Sequence, residues 1–99
     1  ERERIAKELQ ERKDKELIKF KEIFRLSRRL DRAENIRKYA DRLEKYALAC
    51  GGMTDDVQKN LEWIRNKADW YDPFIEAEDK LMVDVDRNKL TNKKRNWWY

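Results

Sequence analysis

Two groups of apolar residues recur at helical spacing on either side of Gly51-Gly52. Members of the first group follow one another at steps of three and four: Leu26, Leu30, Ala33, Ile36, Ala40, Leu43 and Ala47. Members of the second group have the same spacing: Val57, Leu61, Ile64, Ala68 and Tyr71. Each group marks one face of an α-helix. The pattern therefore predicts an all-α, coiled-coil-like helical hairpin, in which a long helix packs against an antiparallel return helix.

The two apolar faces also predict the core of this hairpin. Its members are Leu26, Leu30, Ile36, Ala40, Leu43, Val57, Leu61, Ile64, Ala68 and Tyr71. Small alanines facing larger side chains would let the two helices approach closely.

Helix boundaries follow from the local sequence. Residues 2–49 contain neither Gly nor Pro, which predicts one helix roughly 70 Å long. Thr54 is a suitable N-cap for the second helix, and Pro73 disfavours helix at the residue before it. Beyond Pro73 we expect an irregular segment laid back along the first helix, with an extended stretch at 81–85 where Leu81, Val83 and Val85 alternate. That stretch is expected to reach Ile23.

The 99 residues make at most one domain, which divides into three parts. Residues 1–25 are predicted to form a projecting charged arm, residues 26–72 the hairpin, and residues 73–99 an irregular segment that ends in a basic tail. Glu1 stands inside a charged helical pattern, which favours a fragment of a larger protein.

A second apolar surface is predicted away from the hairpin stripe. On a helical wheel Leu17, Phe20 and Phe24 lie more than about 90° from that stripe, and residues 10–16 before them are polar and predicted to be solvated. Trp63 and Trp70 likewise point away from the main stripe of the second helix. Either residues 74–86 cover these tryptophans or a partner helix does. The candidate association surface, for a homodimer or a helical protein partner, is Leu17, Phe20, Phe24, Trp63 and Trp70.

Charge is segregated along the chain. Residues 1–49 carry net +5, residues 50–86 net −6 and residues 87–99 net +5. The acidic middle could fold back on the basic first helix, or the basic ends could contact nucleic acid. The candidate phosphate contacts are Arg25, Arg28, Arg29, Arg32, Lys93, Lys94 and Arg95, of which the last three precede the aromatic pair Trp97-Trp98.

No signature of catalysis is present. The sequence contains no histidine and a single cysteine, Cys50, so the commonest general base and a disulfide are both absent. Asp79, Asp84 and Asp86 lack the spacing of a metal loop. We therefore expect a non-enzyme without metal or cofactor. No run of about 20 apolar residues predicts a membrane span, and the reducing cytosol is the expected compartment.

The stretches AENIRKYADRLEKYA (33–47) and WIRNKADWYDP (63–73) resemble the C-terminal helical region of a group of uncharacterised bacterial proteins. In that group a helix-turn-helix-like domain precedes a long charged helix, which closes on a Trp-x-x-x-Ala-Asp-x-x-Asp-Pro element. Its counterparts here are Trp63 or Ile64, then Ala68, Asp69, Asp72 and Pro73. The resemblance implies that any DNA contact lies upstream and that this chain is an appendage.

The sequence thus favours a non-catalytic region for helical assembly or partner docking within a larger protein. The resemblance implies that this protein is bacterial and that any DNA contact lies in its missing N-terminal part. The alternative is direct nucleic-acid binding through the arginines of the first helix and the basic tail.

Overall fold

A computed structural model describes residues 1–90 of the chain. Two α-helices account for most of them: α1 spans Arg2–Ala49 and α2 spans Asp55–Tyr71. The described part contains no strand, and one short 3-10 helix follows at Arg87–Lys89. The molecule measures 75 × 33 × 26 Å, so α1 extends far beyond the part that α2 covers. The predicted helical hairpin is confirmed.

The turn between the helices depends on Gly51. Gly51 has φ +65, a left-handed conformation that glycine adopts without a Cβ penalty. Its N–H donates to Leu48 O at 3.3 Å and the Gly52 N–H donates to Ala47 O at 2.8 Å. These two bonds form a Schellman motif, which ends α1 and satisfies its last carbonyls.

The ends of α2 match the sequence prediction. Thr54 Oγ1 accepts a hydrogen bond from the Val57 N–H at 3.3 Å, and two acidic residues occupy the first turn. At the other end Asp72 leaves the helical conformation before Pro73, and its Oδ1 accepts from the Phe74 N–H at 2.8 Å. This side-chain bond replaces a helical one, so the chain turns away there.

The core is a thin layer between the two helices. On α1 the buried residues are Ala33, Ala40 and Ala47, spaced by seven. On α2 they include Leu61 and Ala68, and Tyr71 closes the layer at the helix end. Six of the predicted core residues are half-buried at its margins: Leu26, Leu30, Ile36, Leu43, Val57 and Ile64.

The predicted extended stretch at 81–85 is wrong. The chain instead makes two successive turns there, with the Met82 N–H donating to Asp79 O and the Val85 N–H to Met82 O. Asp79 Oδ1 also accepts from the Leu81 N–H at 3.1 Å. A local bond of this kind competes with an extended backbone, and no other segment of the described residues is a strand that could pair with it.

The same segment does not cover Ile23, which stays 56% exposed, and Leu81 is 86% exposed. Residues 88–90, and not 81–85, return to α1, where they share a cleft with Phe24, Arg25 and Arg28.

Candidate protein-docking site

The N-terminal half of α1 carries a row of exposed apolar side chains. We call it the arm face, and its members are Ile5, Leu9, Leu17, Phe20, Ile23 and Phe24. Each of these side chains is between 44% and 61% exposed. The Phe20 and Phe24 rings lie against each other with centroids 6.2 Å apart. Exposed apolar side chains that share one face of an otherwise charged helix are typical of a protein-interaction surface.

The arm face and the hairpin face point in different directions on the same helix. At about 100° per residue their centres differ by roughly 150°. A partner on the arm face would therefore leave the contact between α1 and α2 intact.

The arm face is longer than the sequence pattern predicted. It contains the predicted Leu17, Phe20 and Phe24, and Ile5, Leu9 and Ile23 join them. Ile5 and Leu9 were missed because the polar residues 10–16 interrupt the strip. Their spacing from Ile23 could have revealed them. Leu9 lies two heptads before Ile23 and Ile5 lies five full helical turns before it, so all three residues share one helix face.

Trp70 does not belong to an open association surface, contrary to the sequence prediction. It is only 4% exposed, and the Arg87 guanidinium lies 4.7 Å from its ring centroid. Arg87 also donates to Ala77 O at 3.3 Å, which ties the C-terminal segment together over this ring. The sequence left two interpretations open, coverage by the C-terminal segment or by a partner helix, and for Trp70 the C-terminal segment provides the cover. The cation of Arg87 over the indole face is a favourable contact.

Trp63 remains 57% exposed and borders an open groove beside the C-terminal segment. The groove has a volume of about 600 Å³, and Tyr39, Ile36, Lys67 and Met82 contribute to its lining. The Lys67 ammonium lies 5.5 Å from the Trp63 ring centroid and forms an ion pair with Asp79. The hydrogen bond from Lys67 lowers the pKa of Asp79. This ion pair holds the C-terminal segment at one edge of the groove.

Ion pairs join the two helices along their contact. Arg37 on α1 reaches Asp69 and Asp72, each at 2.9 Å, and Arg65 on α2 reaches Asp41 at 3.0 Å and Glu44 at 3.3 Å. The hydrogen bond with Asp69 raises the pKa of Arg37 against the opposing effect of burial. The basic first helix and the acidic end of α2 are thus in direct contact at Arg37.

Asp72 is the buried member of this network, with 4% of its surface exposed. Burial acts to raise the pKa of Asp72, but the hydrogen bond from Phe74 and the ion pair with Arg37 outweigh it. The pKa of Asp72 therefore lies below its usual value, and the carboxylate is charged at neutral pH.

The predicted phosphate contacts on α1 are not a uniform free surface. Arg25 forms an ion pair with Glu22, the Arg28 guanidinium lies 6.0 Å from the Phe24 ring centroid, and Arg29 Nε donates to Tyr71 O at 3.1 Å. Arg32 borders the groove. The predicted contacts Lys93, Lys94 and Arg95 lie outside the described residues. Three of the four arginines therefore have partners within the chain.

Within residues 1–90 no group of three or more His, Cys, Asp or Glu side chains is arranged to hold a metal ion. Neither α1 nor α2 includes an apolar stretch long enough to cross a lipid bilayer. No protein-family model, curated protein or solved structure matches the chain. The resemblance of residues 33–47 and 63–73 to the bacterial group stays a prediction.

Proposed function

We propose that this chain is a non-catalytic helical region that assembles with another helix through the arm face. The observation that carries the proposal is the exposure of Phe20 and Phe24, at 61% and 54%, on the part of α1 that α2 does not cover. Large aromatic side chains contribute strongly when they become buried at an interface.

The shape of the molecule supports the same function. The 48-residue α1 is packed against α2 only over its C-terminal half, and a helix within a protein gains most of its stability from tertiary packing. A partner helix along the arm would supply that packing for the other half. Following the resemblance, the proposal extends to an appendage of a larger bacterial protein whose DNA contact lies elsewhere.

Sedimentation of the whole chain tests this proposal. The wild-type chain should sediment as an assembly at tens of micromolar, and the double variant Phe20→Glu with Phe24→Glu should sediment as a monomer. Ile18→Glu is the matched control, because Ile18 is 70% exposed but lies off the arm face. Equal masses for the wild-type chain and the double variant would overturn the proposal.

A further inference from the structure

We infer that the partner on the arm face is a second copy of this chain, bound antiparallel, with its register set by Lys13 and Glu16. This inference rests on the proposed function and names its partner and geometry.

The positions available for pairing form a heptad series on α1. Its members alternate at spacings of three and four: Ala6, Leu9, Lys13, Glu16, Phe20 and Ile23. All six residues are exposed. This spacing is that of the a and d positions of a two-stranded coiled coil. The series is apolar at both ends and carries one cation and one anion at its centre.

The charges at the centre decide the orientation. A two-fold axis between residues 14 and 15 places Lys13 opposite Glu16 of the second copy, and it does so twice. The same axis places Leu9 opposite Phe20 and Ala6 opposite Ile23, so that every layer is matched in chemistry. A parallel pair in register would instead place Lys13 against Lys13 and Glu16 against Glu16, which is repulsive.

Other antiparallel registers are also disfavoured. A shift by one heptad in one direction places Lys13 opposite Ile23 and Glu16 opposite Phe20. A shift in the other direction places Leu9 opposite Lys13 and Ala6 opposite Glu16. Each alternative desolvates a charge against an apolar side chain without a partner. A polar layer within a coiled coil commonly specifies register at some expense of stability.

Lys13 and Glu16 are available for ion pairs between two copies of the chain. Neither Lys13 nor Glu16 takes part in an ion pair within residues 1–90. Ile5, Leu17 and Phe24 flank the series and widen the apolar strip. The exposed parts of the arm-face side chains in two copies amount to on the order of 1,000 Å², which is near the minimum for a specific interface. We therefore expect a dimer whose interface is small for a specific one.

Exchanging the charges tests the register. Lys13→Glu alone and Glu16→Lys alone each replace both attractive pairs by repulsive ones. Each should weaken the Kd from sedimentation equilibrium by about tenfold or more. A 1:1 mixture of the two variants should form a heterodimer, and the double exchange in one chain should restore the homodimer. Helix content by circular dichroism should not differ between the monomeric variants.

Disulfide trapping tests the orientation separately. In a Cys50→Ser background, a mixture of Ala6→Cys and Ile23→Cys chains should form a mixed disulfide on oxidation. Neither variant alone should crosslink, because two copies of residue 6 would lie about 25 Å apart. Homodisulfides from each variant alone would show a parallel dimer and overturn the inference.

The two proposals fail in different ways. If Phe20→Glu with Phe24→Glu abolishes association but Lys13→Glu leaves the Kd unchanged, the arm face assembles and the inferred register is wrong. If neither substitution changes the sedimenting mass, the proposed function fails together with the register.

Lys19→Glu is a positive control for the register. In the inferred dimer, Lys19 of one copy lies near Arg12 of the other along one edge, and both side chains are cations. Replacing Lys19 by Glu turns this repulsion into attraction, so the dimer should become tighter.

Discussion

Leu61 provides the most direct test of the hairpin, because it is the largest fully buried side chain among residues 1–90, at 2% exposure. Leu61→Ala removes apolar contacts on the face of α2 that packs against α1. Buried Leu→Ala changes cost about 2–5 kcal/mol. In the described part of the chain this core lies between two helices, so part of the cavity can collapse, and we expect a loss of about 3 kcal/mol in the free energy of unfolding. For a chain of this size that corresponds to a fall in Tm of about 12–24 °C.

The matched control is Leu81→Ala, the same chemical change at a residue that is 86% exposed. It should alter stability by less than about 0.5 kcal/mol. Thermal unfolding followed by circular dichroism at 222 nm measures both, at one fixed protein concentration because association shifts the apparent Tm. Equal Tm values for the two variants would show that the hairpin core is not where the structure places it.

Three further predictions concern the turn, the buried carboxylate and nucleic acid. Gly51→Ala should destabilise the chain by about 1 kcal/mol in urea unfolding, because φ +65 is unfavourable for a residue with a Cβ. The lowered pKa of Asp72 means that its carboxylate stabilises the fold above the unfolded-state pKa of about 4 and loses this effect as the pH falls through the folded-state value. The urea midpoints of the wild-type chain and Asp72→Asn should therefore differ at pH 7, and the difference should shrink as the pH falls below about 4; a difference that stays constant with pH would contradict this. Fluorescence anisotropy with duplex and single-stranded probes should show only weak binding at about 150 mM salt, whereas submicromolar binding that is lost on removal of residues 91–99 would favour the nucleic-acid alternative.

Much of the hairpin could be predicted from the sequence because its signals are local or periodic. Alanine and leucine at steps of three and four mark the buried face of each helix. Thr54 and Pro73 bound α2, and the glycine pair marks the turn, each through the backbone conformation that the residue type favours. These signals act over fewer than about five residues, so they do not depend on the tertiary fold.

The C-terminal segment could not be predicted in the same way. Alternating Leu81, Val83 and Val85 resemble a strand, but residues 1–90 contain no strand with which the segment could pair, and Asp79 bonds locally instead. Coverage of Trp70 depends on Arg87, seventeen residues further along the chain. A contact of that kind depends on the path that the irregular segment takes over α2, and the spacing of apolar residues along the sequence does not predict this path.

The position of the hairpin along α1 explains how the arm can present an ordered face. A separate helix of arm length is marginal in water because its first turn is costly to form. In this chain α1 is continuous into the hairpin, so the packed half supplies the helical nucleus and the arm extends from it. Helical order should then decline with distance from the hairpin, from Phe20 and Ile23 towards Leu9 and Ala6. An antiparallel dimer would place the better-ordered Phe20 of one copy against Leu9 of the other. The well-ordered part of each arm would then pack on, and stabilise, the less ordered part of the other arm.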